Sequence, residues 1–283
     1  MPELFPIIQV SADAAQNQEP MGTKYKFWLR HPDLGQCLFK KARPNTGEDW
    51  SEKIAAELCE LLGLPHAHYE LAIWQEQPRI VSPTFLTNST TLLHGNDILS
   101  GLVSSYSRDI SYRQSQHTLT NVISALTTEG LRLPLNWTAP EGITSAVSVF
   151  VGYLLLDAWI GNGDRHHENW GFFIQLPKGI PHLAPTYDHA SCLGRELQDT
   201  KRQTRLKNQT ITQYTKKSHS AFYHHVGDNR TIPTFDTFAT IAQKYPKSAA
   251  IWLASWQKFQ SQPLKCVSVL SLKAGFQLRP LNL

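Results

Sequence analysis

The sequence predicts an α+β chain: a small strand-rich N-terminal lobe with one helix, joined to a larger, mainly helical C-terminal lobe. Three observations predict it. Short aromatic and apolar runs separated by turn residues fill residues 1–90. A single amphipathic helix interrupts them. Beyond residue 90 the hydrophobic pattern lengthens and becomes helical. With 283 residues, the chain can build two lobes that share a cleft, and we expect residues 1–90 to form the first and residues 91–283 the second.

Ile7 to Val10 is a short apolar run, and Ser11 to Pro20 is polar. Tyr25 to Leu29 and Cys37-Leu38-Phe39-Lys40 flank the turn Pro32-Asp33-Leu34-Gly35, which predicts a hairpin over 25–40. Residues 48–62 read as a helix because Ile54, Leu58, Leu61 and Leu62 share one face; Gly63 and Pro65 stop it. Ala67 to Trp74 and Arg79 to Leu86 are strands around Glu76-Gln77-Pro78. Helices are expected over 117–129, 142–160, 234–244 and 248–259, with a hairpin made by Trp170 to Gln175 and His182 to Thr186. The basic stretch 195–217 reads as a solvated loop.

Composition narrows the class. At 41% hydrophobic and 18% charged residues, the chain is neither disordered nor collagen-like. A net charge of +4 is too small to predict direct nucleic-acid binding. Cys37, Cys59, Cys192 and Cys266 form no CxxC, which argues against a zinc ribbon and for free thiols in a reducing compartment. The N-terminus lacks the pattern of a signal peptide. The apolar run Ala146 to Ile160 is shorter than the ~20 residues of a membrane span. A cytoplasmic location is expected.

The chemistry concentrates in Gly161-Asn162-Gly163-Asp164-Arg165-His166-His167-Glu168-Asn169, directly after a buried helix. Asp164 and Asn169 have the spacing used in phosphoryl transfer, where an Asp accepts the acceptor's proton and an Asn holds a metal. Asp188, beyond the following hairpin, supplies the second oxygen ligand that Mg²⁺ favours. Upstream, Gly22, Thr23 and Lys24 lie between strand candidates, where backbone N–H groups can approach phosphate. Lys40 ends a strand from which it can reach the phosphates of ATP, whereas Lys41 should point the other way. Phe85 and Leu86, at the end of the last strand of this lobe, complete the nucleotide-binding set. An acidic partner for Lys40 should come from the helix over 48–62. With Ile54 at zero, Glu57 falls at about 300° and Glu52 at about 160°, so periodicity favours Glu57.

These residues resemble the HipA-like bacterial kinases, a branch of the protein-kinase-like fold. The resemblance rests on the segment 161–169, on Tyr187-Asp188-His189-Ala190-Ser191, and on Leu38-Phe39-Lys40 followed by a helix ending in Leu62-Gly63-Leu64-Pro65. It implies a two-lobed protein-kinase-like fold and an ATP- and Mg²⁺-dependent Ser/Thr protein kinase, often paired with an antitoxin. It also implies Asp164 as catalytic base, Asn169 and Asp188 as metal ligands, Lys40 as phosphate binder, and Glu52 rather than Glu57 as its partner. His166 is expected to orient Asp164. Larger relatives carry a further N-terminal subdomain, for which the stretch before Gly22 leaves no room.

Competing readings remain at this point. A lipid or small-molecule kinase uses the same constellation, and the basic stretch 195–217 suits a membrane surface. A pseudokinase or binding module is disfavoured by the presence of Lys40, Asp164, Asn169 and Asp188. A zinc hydrolase built on His166, His167, Glu168, His182 and His189 lacks the HExxH pattern. Autophosphorylation is expected at Ser104, Ser105, Ser107, Thr200 or Thr204, beside Lys201, Arg202 and Arg205.

Overall fold

The computed structural model describes residues 5–14, 17–18, 26–44, 46–110, 112–195 and 198–260. Strands β1 (Ile7–Val10), β2 (Asn17–Gln18), β3 (Lys26–His31), β4 (Gly35–Lys40), β5 (Glu70–Trp74) and β6 (Gln77–Pro83) form one sheet in the order β1-β5-β6-β4-β3-β2. β1 is parallel to β5, and the other pairs are antiparallel. In the β3–β4 hairpin Phe27 faces Phe39, and the two rings stack at 4.3 Å beside Trp74. Successive side chains alternate across a strand. With Phe39 on that apolar face, Lys40 turns to the opposite one.

Helix α1 (Glu48–Leu62) occupies the span expected from its periodicity and ends at Gly63, whose φ of 73° the absence of a Cβ permits. Its first two turns do not follow the single-stripe pattern. Glu48, Asp49, Trp50, Ser51, Glu52 and Lys53 are all buried, because neighbouring segments enclose the start of the helix on every side. Lys53 reaches Glu57 at 2.8 Å and Glu70 at 3.1 Å, tying α1 to β5.

A second sheet holds β7 (Thr90–His94), β8 (Gly171–Gln175) and β9 (Ile180–Leu183), in that order and antiparallel. β7 and the short helix that follows it, α2 (Gly95–Leu102), had no sequence signal. β7 exists because β8, far along the chain, supplies its hydrogen bonds. Helix α3 (Leu119–Leu126) and helix α4 (Ala146–Ile160) are shorter than expected. α4 begins at a capping box, in which the Ser145 hydroxyl accepts from the Ser148 N–H and the Ser148 hydroxyl from the Ser145 N–H.

The stretch 195–217 is not a plain loop. It contains helices α5 (Asp199–Lys207) and α6 (Ile211–Thr215). Two of its cations lie over aromatic rings: Arg202 is 5.2 Å from the ring centre of Trp50, and Arg205 is 4.6 Å from that of Tyr214.

α4 is apolar all round and is the centre of the helical core. Helices α7 (Thr234–Lys244) and α8 (Pro246–Gln260) pack against it. The fully buried Trp252 of α8 donates its indole N–H to the Ser148 carbonyl at 2.8 Å. Its ring lies over Gly152, where a Cβ would come within 2.7 Å. Cys37, Cys59 and Cys192 are buried free thiols; Cys266 lies outside the described residues. Among the described residues, no helix is long and apolar enough to cross a membrane.

Candidate active site

The loop after α4 is built on two glycines and one buried ion pair. Gly161 closes the helix at φ 64°. A Cβ on Gly163 would sit 2.7 Å from the His219 carbonyl oxygen, so the chain passes there only as glycine. Arg165 is buried and directs Nε and Nη2 to the Asp157 carboxylate of α4, with Nη2 at 2.8 Å from Oδ1. Asp157 Oδ1 also accepts from Asn162 Nδ2 at 2.8 Å. Burial by itself would lower the arginine's pKa, but Asp157 outweighs burial and raises it above the ordinary value.

On this base Asp164 is partly exposed. Its Oδ2 accepts from Ser191 Oγ at 2.9 Å, and its backbone N–H donates to Asn162 Oδ1 at 3.1 Å. Asn169 Nδ2 donates to the Asp164 carbonyl at 2.7 Å, which closes the five-residue loop and leaves the amide oxygen as the donor Asn169 can offer a cation.

Lys40 stands on the other wall. It is buried, and Lys41 is exposed, as strand alternation predicts. Its Nζ lies 3.5 Å from Asp188 Oδ1, 4.0 Å from Glu52 Oε2 and 5.2 Å from the ring centre of Tyr69. Burial disfavours the charged amine, yet Asp188 and Glu52 outweigh it and hold the pKa well above the ordinary lysine value. Asp188 has φ 57°, a left-handed conformation that Asp tolerates better than most residues. Its backbone is pinned on both sides of that turn: the Asp188 N–H donates to the Tyr69 hydroxyl at 3.1 Å, and the His189 N–H donates to Glu52 Oε1 at 2.7 Å.

The helical-wheel preference for Glu57 is therefore corrected. Glu57 pairs with Lys53, and Glu52 lies beside Lys40. The wheel fails because the enclosed first turns of α1 have no solvent face. Phe85 stacks on Phe173 at 5.4 Å and lies 5.8 Å from Tyr187; Leu86 packs against the same apolar cluster. Gly22, Thr23 and Lys24 lie outside the described residues.

His166 stands apart from its expected part. Its Nε2 is 3.8 Å from Asp164 Oδ1, beyond hydrogen-bond reach, and its Nδ1 accepts from the Glu168 N–H at 3.2 Å. Ser191 is what hydrogen-bonds the Asp164 carboxylate. The histidines of the zinc-hydrolase reading are dispersed. His167 Nδ1 meets the Tyr106 hydroxyl, His182 Nδ1 the Leu133 carbonyl, and His189 Nε2 the Thr186 hydroxyl. They form no ligand cluster among the described residues. Sequence reasoning missed Asp157 and Tyr69, whose roles depend on long-range contacts. Ser191 stood inside a quoted motif, without an assigned part.

A cleft of about 300 Å³ opens beside Asp164, lined by Gly163, His166, Tyr112, Arg113, His117 and Tyr223 among others. Lys40 and Asp188 are not part of its lining.

No family model matches the sequence, and no curated protein matches it. Solved structures do. A Helicobacter pylori proinflammatory kinase, CtkA, superposes with a TM-score of 0.64 at 18% identity, covering 92% of this chain and 88% of that one. The chain has a protein-kinase-like fold. More distant kinase-fold matches are the HipA toxin–antitoxin complex of Shewanella oneidensis, at a TM-score of 0.41, 13% identity and coverage of 88% and 60% of the two chains, and a Golgi casein kinase, at 0.36, 13%, 91% and 74%. The fold assignment rests on the first of the three.

Proposed function

We propose that this chain is an ATP- and Mg²⁺-dependent phosphotransferase acting on the hydroxyl of a protein Ser or Thr. The observation that carries the reading is one convergence. Lys40 and Asp188 approach to 3.5 Å, while Ser191, three residues further on, hydrogen-bonds Asp164 at 2.9 Å. Residues more than a hundred positions apart in the sequence are brought near one another, which supports reading Lys40 as the phosphate-binding cation, Asn169 and Asp188 as metal donors and Asp164 as the base.

The donor set fits the cofactors. The Asp188 carboxylate and the Asn169 amide oxygen are the hard ligands that would hold Mg²⁺, and the metal would neutralise charge on the phosphates. Lys40, kept charged by Asp188 and Glu52, binds the phosphates from the sheet side. Phe85 and Leu86 offer apolar surface for the base. Asp164 accepts the proton of the acceptor hydroxyl as its oxygen attacks the γ-phosphorus and the bond to the bridging oxygen breaks. Ser191 and Asn162 position Asp164 for that transfer.

A small-molecule acceptor is the second reading. A cleft of about 300 Å³ beside Asp164 is at the lower end of small-ligand pockets. The protein reading extends to autophosphorylation and to a partner of the antitoxin kind. Radiolabel transfer from ATP, with and without Mg²⁺, to protein, inositol-lipid and sugar acceptors tests the proposal. Mg²⁺-dependent label on Ser or Thr is the expected result, and intact-mass measurement after ATP treatment reports self-modification. Absence of transfer to every acceptor and to the chain itself overturns it.

A further inference from the structure

A second group of polar side chains lies at the far end of α1. Glu60 stands in the last turn of that helix, and His66 and His68 follow in the segment leading to β5. One ligand atom from each of the three lies within 4.8 Å of the others. They form the one such cluster of His, Cys, Asp and Glu among the described residues. Glu60 and His68 are exposed, whereas the His66 side chain is only 5% exposed.

The tautomer of His66 decides what the group needs. Its Nδ1 lies 2.8 Å from the Ala67 carbonyl oxygen. A carbonyl only accepts, so Nδ1 carries the hydrogen and a neutral ring has its lone pair on Nε2. That Nε2 faces Glu60 Oε1 at 3.1 Å. In that neutral form a lone pair faces a carboxylate oxygen, and a proton or a metal cation between them satisfies both. An Nδ1–H bound to a backbone carbonyl is also the usual support of a metal-ligating histidine, since it fixes the ring and raises the basicity of the other nitrogen.

We propose that Glu60, His66 and His68 bind a first-row divalent metal ion, Zn²⁺ foremost. Two imidazoles and one carboxylate form a borderline donor set that suits Zn²⁺ and not Mg²⁺. Tetrahedral coordination with bonds of roughly 2 Å brings ligand atoms to about 3.3 Å from one another. Rotation of the exposed Glu60 and His68 side chains closes the remaining gap. The backbone beneath is already fixed: the Ser82 hydroxyl donates to the His68 carbonyl at 2.8 Å, and His66 bridges to Thr186. A water completes the fourth position. The metal fastens the end of α1 to the segment that runs beside Thr186, two residues before Asp188. The proposal does not depend on the phosphotransfer reading.

The test uses the tag-free full chain, metal-stripped, with Zn²⁺ alone titrated by calorimetry and Co²⁺ as the spectroscopic probe. We expect one Zn²⁺ per chain, a tetrahedral Co²⁺ visible spectrum, and a melting temperature raised by about 5 °C when Zn²⁺ is near a hundredfold over Kd. His68→Ala and Glu60→Gln change exposed side chains, so both variants should fold. Each should weaken binding at least tenfold or so and erase the thermal shift. No Zn²⁺ binding by the parent overturns the proposal. So does binding that both variants retain at full strength, which places the metal at other histidines such as the exposed His224 and His225.

Discussion

The two carboxylates at the centre of the site rest on different supports. Asp164 belongs to a loop braced from below by the Asp157–Arg165 pair, in which Asp157 lies on α4 and Arg165 and Asn162 in the loop itself. Asp188 is held from the side of the strand-rich region, by the Tyr69 hydroxyl at its own N–H, by Glu52 at the next, and by Lys40 at its carboxylate. The first residue has its backbone placed by its immediate neighbours, while its carboxylate accepts from Ser191 on the Asp188 segment. The second is positioned only when α1 and the first sheet are docked. A displacement of α1 therefore acts directly on the Glu52 contacts that hold Lys40 and Asp188, and on Asp164 indirectly, through the segment of Ser191, whose neighbour Ala190 accepts from the Ser51 hydroxyl of α1.

The sharpest test of that contrast has the largest expected effect. Asp164→Asn should lower turnover by about 10²–10⁴-fold, the usual contribution of a positioned base, while Mg²⁺-ATP binding is unchanged. Asp188→Asn, which also suits the left-handed backbone, should reduce both. Calorimetric titration of ATP with and without Mg²⁺, alongside turnover, separates the two; equal losses of binding would erase the distinction. Next in size is Arg165→Met, which leaves Asp157 buried without its partner and should cost about 3–5 kcal/mol in urea unfolding. Adding Asp157→Leu should recover much of that loss, since the charge and its orphan are removed together.

Acid should act first on the Asp164 side. Burial pushes His167 down to about 4 and His117 down to about 3. His117 is hydrogen-bonded in its neutral form, with Nδ1 toward the Ala221 carbonyl and Nε2 accepting from Trp170. A depressed folded pKa means the unfolded chain takes the proton first. The stability is complete above about pH 6.5 and is lost as pH falls toward 4 for His167 and 3 for His117. His117→Gln should flatten the slope by up to about 1.4 kcal/mol per pH unit, read from melts between those limits. An unchanged slope would mean that His117 is not part of the linkage.

The smallest effects compare two glutamates on one helix. Glu52→Gln should weaken Mg²⁺-ATP binding by about tenfold, on the order of 1.4 kcal/mol, because it removes a charge beside Lys40. Glu57→Gln and Lys41→Ala should change binding by less than about 0.5 kcal/mol. If Glu57→Gln were the damaging change, the assignment of α1's enclosed face would be reversed.

Much of this was legible in advance where the signal is local. The residues of α1, the β3–β4 hairpin, the buried α4 and the spacing of Asp164, Asn169 and Asp188 follow from periodicity, turn chemistry and motif. What was not legible depends on distant partners. β7 pairs only with β8, and Glu52 is distinguished from Glu57 only by what encloses the start of α1. Tyr69 looks like any strand-flanking aromatic until its hydroxyl meets the Asp188 N–H. The charge-rich 199–207 segment reads as loop because its helix carries no apolar stripe; its packing contribution comes instead from Arg202 over Trp50.

The seat of Trp252 over Gly152 sets an order of events during synthesis. α4, the most apolar segment of the chain, leaves the ribosome well before α8, and the groove on its surface is shaped for a ring that has not yet been made. Until residue 252 emerges, Leu64 can cover part of that groove, but the seat of the indole has solvent or a chaperone to meet. A nascent chain stalled before Pro246 therefore leaves part of a sticky helix uncovered, and the native core is completed only with the last described helix.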